Sequence, residues 1–266
     1  YGWVEQPDAV WLWLEEIVEH VAKPWPLEHC GLVARHLATF SGRYLVDRPV
    51  PSFPWLTRGL MRGLVDLYAT NLTMLHGLRD HPLVRRGWPD DQLARTERLW
   101  DERADFVATL DGLPPTLGHG DATPFNLFAG LSPDGRIQTV AIDWAFTGIS
   151  AVGEDLATLL RSRTRVATSF EDLDPVIFHG YLEGLRAAGW QGDSRLARIG
   201  YATAAALRYG LNLRLVPAIV DDRARTQFEQ AVGMALEDIL DGFARGCRHA
   251  LALADEARQL HESVHF

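Results

Sequence analysis

The sequence has 266 residues, of which 47% are hydrophobic and 23% are charged, as expected for a globular protein with a substantial core. Its formal net charge of −9 argues against a nucleic-acid-binding surface and mildly favours a cationic or metal-chelated partner. The apolar run VWLWL, at residues 10–14, is too short to span a bilayer and is ended by Glu15 and Glu16, so we expect no membrane partner.

The two cysteines indicate a reducing compartment. Cys30 and Cys247 lie far apart and match no metal-binding or redox spacing, which is typical of two buried thiols. The apolar run near the start is not preceded by a signal peptide pattern. A cytoplasmic localisation is therefore expected.

The first part of the chain predicts one strand followed by helices. Val10–Leu14 reads as a short buried strand that leaves into a polar connector at Glu15 and Glu16. A helix is predicted from about Leu27, with Gly42 as its stop. Residues 89–110 begin with Pro and acidic residues and predict a further amphipathic helix. Between them, leucines at helical spacing predict a long helix through Leu56, Leu60, Leu64, Leu67, Leu72 and Leu75.

The second part changes character before it returns to helices. NLFAGLSPDGRIQTVAIDW, residues 126–144, has two apolar runs around Ser-Pro-Asp-Gly, which predicts a β-hairpin. Helices are then predicted from about Glu154, near 171–188, near 194–215 and from about 224 to 260. The fold class expected is α+β, a mainly helical body with a small embedded hairpin.

Three polar residues stand at the ends of that hairpin. Asp121 and Asn126 precede the first strand, and Asp143 ends the second, so antiparallel pairing would bring residues 126 and 143 together. Two oxygen-bearing side chains suit a hard cation such as Mg²⁺, while Asp121 would meet a substrate hydroxyl. Taken singly, Asp121 and Asn126 also fit the alternative of residues that only shape a turn.

These motifs resemble those of a known family. HGDATPFN at residues 119–126, then IDW, then GISAVGEDLATL are similar to the aminoglycoside phosphotransferase and choline kinase-like family, relatives of protein kinases. The resemblance implies a mainly helical C-terminal lobe of a kinase-like fold. It also implies transfer of the γ-phosphoryl group of ATP (or GTP) to the hydroxyl of a small, possibly cationic substrate, with Mg²⁺ as cofactor.

Carried over residue by residue, the resemblance assigns roles within a catalytic loop at 117–128 and a metal-binding segment at 139–144. Asp121 would be the catalytic base, and Asn126 and Asp143 the magnesium ligands. His119 and Asp155 would support the loop. Backbone groups of two connector residues, Glu15 and Ile17, would contact the adenine.

The family's N-terminal lobe has no counterpart in this sequence. No glycine-rich phosphate loop occurs, and the only lysine, Lys23, falls in a Pro-flanked loop rather than a strand. Residues 1–20 would be the end of the hinge strand and the connector, and residues 21–266 the C-terminal lobe. Because the chain starts with Tyr1 rather than Met, we expect a fragment of a larger kinase.

The sequence is also compatible with two other functions. The missing lysine and glycine-rich strands favour an inactive one-lobed pseudokinase, a nucleotide-binding scaffold. The terminal HESVHF matches the H-E-x-x-H pattern of zinc peptidases through His261, Glu262 and His265, although the chain ends before a third ligand. The acceptor and the oligomeric state are not predicted by any motif.

Overall fold

The computed structural model describes residues 2–13, 15–161 and 169–263, and over these ranges it is an α+β fold in which helices predominate. The helices are Leu27–Val46 (α1), Leu60–Gly77 (α2), Pro82–Gly87 (α3), Gln92–Asp101 (α4), Arg103–Gly112 (α5), Phe170–Ala187 (α6), Ser194–Ala205 (α7), Val216–Val220 (α8), Asp222–Val232 (α9) and Leu236–Ser263 (α10). The strands are Gly2–Glu5 (β1), Val10–Trp13 (β2), Thr57–Arg58 (β3), Pro115–Gly118 (β4), Leu127–Leu131 (β5), Ile137–Ala141 (β6) and Gly148–Ala151 (β7).

The strands form separate small sheets. β1 and β2 pair as an antiparallel hairpin, and β5 and β6 form another, in which Leu127 is opposite Ala141. The third sheet has the order β3-β7-β4, with β3 parallel and β4 antiparallel to the central β7. Gly118, the last residue of β4, is opposite Gly148, the first of β7, so the chain leaves and enters this sheet at one point.

Glycines allow α1 and α6 to pack in close contact. A Cβ atom on Gly180 would lie 2.2 Å from the carbonyl oxygen of Gly31, and one on Gly184 would lie 2.2 Å from that of Arg35. A side chain at either position of α6 would therefore push the two helices apart. Around this pair, buried side chains such as Leu37 and Tyr181 form part of the central hydrophobic core.

Both cysteines are buried and free, as the sequence predicts. Cys30 lies on α1 and Cys247 lies on α10, next to the hydroxyl of Thr96 at 3.8 Å. Burial disfavours the charged thiolate and raises the pKa of each thiol to about 12. None of the helices in the described ranges is long and apolar enough to cross a membrane.

The predicted strand and hairpin are confirmed, with one correction. β2 covers Val10–Trp13, while Leu14 lies outside the described residues. The expectation of a buried strand is wrong for Trp11, which is 60% exposed, since among the described residues β2 pairs only with β1. The Ser-Pro-Asp-Gly hairpin forms as predicted, and its turn places Gly135 at a φ of +78°.

The helical regions are confirmed, but several boundaries are wrong. The helix from Leu27 continues past Gly42, because this glycine packs against Ala188 instead of ending the helix. The predicted helix at 89–110 is two helices that meet at Glu102. The one predicted from 224 to 260 is interrupted at Gly233, whose φ of +74° ends α9.

Two further segments differ from a regular α-helix, and one helix begins later than predicted. The segment predicted from Glu154 is a 3₁₀-helix over Glu154–Arg161, and the one predicted to reach 215 ends as a π-helical turn over Ala206–Gly210. The leucine-rich helix begins at Leu60 rather than at Leu56, after Gly59 in a left-handed conformation. Such irregular turns often occur at functional sites.

Candidate active site

Two neighbouring loops connect the three-stranded sheet to the β5–β6 hairpin. Residues 119–126 run from β4 to β5, and residues 142–147 run back from β6 to β7. The backbone N–H of Ile142 donates to the carbonyl oxygen of Asn126 at 2.9 Å, which extends the hairpin ladder by one residue. Asp143 follows directly, so the fold brings it beside Asn126.

Asp155 holds the first connection in place. Its carboxylate accepts hydrogen bonds from the backbone N–H groups of His119 and Gly120, each at 2.9 Å. Asp155 is only 7% exposed. Gly120 has a φ of +79°, and a Cβ atom there would lie 2.3 Å from the carbonyl oxygen of Phe146. The two connections therefore contact each other where only glycine fits.

His119 joins the two connections through both of its ring nitrogens. Nδ1 accepts the backbone N–H of Asp121 at 3.3 Å, which leaves the proton on Nε2, and Nε2 donates to the carbonyl oxygen of Ile142 at 2.9 Å. The ring is fully buried and lies 4.5 Å from that of Trp144, measured between centroids. These contacts are those of a positioning residue rather than of a group that meets substrate.

Asp121 and Asn126 are in direct contact. The amide nitrogen of Asn126 donates to the backbone carbonyl of Asp121 at 2.9 Å and to its carboxylate oxygen Oδ2 at 3.1 Å. Two acceptors on one side fix the amide orientation, since the reversed amide would place oxygen against oxygen. The Oδ1 atom of Asn126 is therefore the one that remains to bind a cation or a phosphate-bound metal.

Asp143 is exposed and has a left-handed backbone, with φ of 57° and ψ of 64°. Asp tolerates this conformation better than most residues, and such strain often occurs at functional positions. Asp143 directly follows Ile142, whose backbone pairs with that of Asn126. A carboxylate and an amide oxygen are ligands that Mg²⁺ takes when phosphate and water complete its shell. The chemistry of these residues thus fits the metal that the family resemblance implies.

Arg208 is a site residue that the sequence analysis missed. From the π-helical turn, its guanidinium donates to the carbonyl oxygen of Gly120 at 2.8 Å and lies 3.7 Å from Oδ1 of Asp121. The side chains of Arg208 and Asp121 are 13% and 19% exposed, so the pair is largely shielded from water. No local pattern marks Arg208, which is 88 residues from Gly120 in sequence.

Lys23 supports the other end of the catalytic loop. Its ammonium group donates to the carbonyl oxygens of Pro124 and Leu127 at 2.7 and 2.8 Å and pairs with Glu19 at 3.1 Å. It also lies 4.6 Å from the centroid of the Phe128 ring. In the sequence, Lys23 is distinguished only by being the single lysine in a chain that otherwise uses arginine as its strongly basic residue.

The connector after β2 runs to the β5–β6 hairpin. Glu15 is exposed and Ile17 is partly buried, and both lie outside helices and strands. A few residues later, His20 donates its backbone N–H to the carbonyl oxygen of Ala129 at 2.9 Å, and Glu19 accepts the N–H of Ala129 at 2.8 Å. The connector that contains Glu15 and Ile17 is thus bonded to the hairpin through Glu19 and His20.

Glu154 is a second unexpected group near the loop. Burial is the main cause that raises the pKa of this carboxyl to about 7, and the neighbouring Asp155 carboxylate acts in the same direction. The backbone N–H of Ala151, which donates to Glu154 at 2.9 Å, and the Arg208 guanidinium act in the opposite direction. Glu154 therefore holds its proton close to neutral pH.

The zinc-peptidase pattern is only partly within the described residues. His261 and Glu262 are exposed near the end of α10, and His265 lies outside the described residues. In the ranges that the structure describes, no three His, Cys, Asp or Glu side chains group so as to hold a metal ion.

Comparison with solved structures identifies the fold as kinase-like α+β. An aminoglycoside phosphotransferase from Alicyclobacillus acidocaldarius superposes with a TM-score of 0.54 and 18% identity, over 97% of this chain and 74% of that one. LicA in complex with AMP gives a TM-score of 0.46 and 14% identity, over 91% and 68% of the two chains. Choline kinase LicA from Streptococcus pneumoniae gives 0.38 and 15%, over 85% and 64%. No curated protein sequence matches the chain.

The family follows from a sequence comparison. The model of the phosphotransferase enzyme family matches residues 13–208, about three quarters of the chain, and this chain belongs to that family. The match contains the whole of the catalytic loop, the Asp143 segment and Arg208. The protein is therefore placed among small-molecule phosphotransferases of the kinase type.

Proposed function

We propose that this chain carries the C-terminal lobe, residues 21–266, of a magnesium-dependent enzyme that transfers the γ-phosphoryl group of ATP or GTP to an alcohol. Residues 1–20 are then the end of the hinge strand and the connector, with the backbone of Glu15 and Ile17 toward the adenine. The observation that supports the proposal is the Asn126 amide, which Asp121 fixes with its oxygen turned away, in a residue whose backbone pairs with that of Ile142, immediately before Asp143.

In this reaction the acceptor hydroxyl attacks the γ-phosphorus, the new O–P bond forms, and the bond to the β-phosphate oxygen breaks. Asp121 orients the hydroxyl and takes its proton, and nucleoside diphosphate leaves with the bridging oxygen. Asn126 and Asp143 would hold Mg²⁺, which supplies positive charge to the phosphate oxygens. Arg208 keeps the Asp121 carboxylate in place, while His119 and Asp155 keep the loop from shifting.

The proposal extends to partners and compartment. The acceptor is a small hydroxylated molecule, and the net charge of −9 attracts a cationic one at long range. Two free thiols agree with an enzyme of the reducing cytoplasm, where nucleoside triphosphates are also present. Neither nucleic acid nor a membrane is expected as a partner.

The test is phosphate transfer by the full-length protein to a panel of alcohols, with ATP or GTP. We expect Asp121→Asn to lower kcat by a factor of about 10² or more, because the proton acceptor is lost. Asp143→Asn is expected to raise the Mg²⁺ concentration needed for nucleotide binding. The matched control is Asp66→Asn, at an exposed position of α2. Full turnover by Asp121→Asn would refute the assignment.

The same assay separates the enzyme from a nucleotide-binding scaffold. A pseudokinase would bind nucleotide, show no transfer to any alcohol, and be unaffected by Asp121→Asn. An enzyme loses transfer on that substitution while its nucleotide affinity changes little.

A further inference from the structure

A cavity of about 250 Å³ opens beside the carboxylate of Asp121. Its walls are Leu60, Leu64 and Tyr68 from α2, and Arg208, Asn212 and Arg214 from the segment that follows α7. A hydroxyl bound in this cavity can approach the carboxylate of Asp121. If the proposed function holds, its walls select the acceptor.

The charges in this cavity are unlike those of the whole chain. Among the residues that the structure describes, its lining includes the guanidinium groups of Arg208 and Arg214 and the carboxylate of Asp121. Arg208 is engaged with the catalytic loop. Although the chain has a net charge of −9, fields from distant charges are screened over about 8 Å at physiological salt, so groups that touch the ligand decide its charge.

Arg214 is the group available to a ligand. Its guanidinium is exposed and faces the neutral side-chain oxygen of Asn212 at 3.3 Å. It forms no ion pair within 4.0 Å with any carboxylate in the part of the chain that the structure describes. An arginine at a cavity wall, without a carboxylate partner, presents a planar set of donors suited to a carboxylate or phosphate group.

A second cavity, of about 450 Å³, adjoins the first and is mainly apolar. The two share Tyr209, Asn212 and Arg214, so Arg214 stands at their junction. Two further lining residues, Asp238 and Arg245, carry opposite charges. The apolar walls come from the catalytic loop, α9, α10 and the segment between these helices: Phe125, Phe228, Val232, Met234, Ile239 and Phe243.

From these two cavities, and resting on the proposed function, we propose that the acceptor is an amphipathic hydroxy anion. Its hydroxyl lies at Asp121, its carboxylate or phosphate group binds Arg214, and its apolar body fills the larger cavity. A cationic acceptor would instead place a positive charge in a cavity lined by the guanidinium groups of Arg208 and Arg214. The local geometry thus selects the opposite charge from the one that net charge favours.

The test is calorimetric titration of the full chain with matched eight-carbon alcohols. The probes are 3-hydroxyoctanoate, the neutral 1,3-octanediol, the cationic 1-amino-3-octanol and 2-hydroxyoctyl phosphate. We expect the anions to bind at least tenfold more tightly than the diol, and the amine to bind most weakly. The tighter of the two anions identifies the carboxylate or the phosphate as the natural group. Shortening the chain to 3-hydroxybutyrate is expected to weaken binding by about a hundredfold, because four methylenes leave the apolar cavity.

Substitutions at Arg214 test whether this residue causes the preference for anions. Arg214→Gln is expected to abolish the preference for the anion, and Arg214→Lys to retain part of it. The control is Arg136→Gln, at the exposed turn of the β5–β6 hairpin, where the arginine pairs with Asp134. It is expected to bind every probe as the unmodified chain does.

Three results would overturn the proposal: the amine binds as tightly as the anions, Arg214→Gln leaves the preference intact, or Mg·ADP displaces 3-hydroxyoctanoate. The last would make Arg214 a nucleotide-phosphate ligand. Because these titrations need no transfer, they fail or succeed separately from the Asp121→Asn assay. An anion preference in a protein whose Asp121→Asn variant keeps full turnover would refute the proposed function alone.

Discussion

Replacing Asp155 with Asn would test how the catalytic loop is held. The carboxylate accepts two buried N–H groups, from His119 and Gly120. An amide of the same size offers one oxygen to one of them and turns its own N–H₂ toward the other. The loop cannot easily move to compensate, because Gly120 already contacts the backbone of Phe146.

The magnitude follows from these two bonds. A hydrogen bond to a charged acceptor contributes about 1.5–3 kcal/mol, and a buried donor left unsatisfied adds a penalty of about 1–3 kcal/mol. Losing one bond and weakening the other should lower the free energy of unfolding by about 2–4 kcal/mol for Asp155→Asn. The exposed substitution Asp66→Asn should change it by less than about 0.5 kcal/mol.

Two measurements check this expectation. Urea unfolding followed by circular dichroism gives the free energy, and hydrogen exchange reports the amides of His119 and Gly120 directly. Each loss of 1.4 kcal/mol in local opening speeds exchange tenfold. A change below about 1 kcal/mol, with both amides still protected, would show that Asp155 does not hold the loop.

The remaining predictions concern two partly buried charged residues, Glu154 and Lys23. The pKa of Glu154 is raised from 4.5 to about 7, so the folded protein keeps this proton and loses stability as pH rises from about 4.5 through 7. Glu154→Gln should therefore be more stable than the unmodified protein by about 1–3 kcal/mol at pH 8 and equal to it at pH 4; equal urea midpoints at both pH values would contradict this. Lys23→Met should lower the free energy of unfolding by about 2–4 kcal/mol, since two carbonyls lose their donor and Glu19 loses its counter-charge. Thermal unfolding measures that effect, and an unchanged midpoint would show that the loop does not depend on Lys23.

The parts of the fold that were predictable depend on local chemistry. The hairpin follows from Ser-Pro-Asp-Gly, whose glycine takes the left-handed conformation that the turn requires. The helices follow from the spacing of their apolar residues. Their boundaries were less predictable because Glu102, between α4 and α5, keeps a helical backbone with φ of −86° and ψ of 0°, which interrupts the helix without disturbing the apolar period.

Features that depend on distant pairing were not predictable. β3 has two residues, and it is defined only by the pairing of Thr57 and Arg58 with Gly148 and Ile149 of β7. Arg208 reaches the loop from a π-helical turn, and Lys23 reaches it across 101 residues, to Pro124. No sequence pattern marks the contact of Arg208, and the sequence distinguishes Lys23 only as the single lysine, without indicating its partners. The motifs at 119–126 and 143 could be found because the chemistry they imply requires fixed residue types in a fixed order.

The positions of the two buried thiols allow partial unfolding of the protein to be followed by cysteine alkylation. Cys30 lies on α1, which packs against α6, and Cys247 lies on a different helix, α10. A raised pKa and a buried sulfur keep both from alkylating reagents until their helices separate. If mass spectrometry shows that one thiol is alkylated much faster than the other, although both react equally in the unfolded chain, the protein opens in parts, and the faster-labelled peptide identifies the helix that opens more readily.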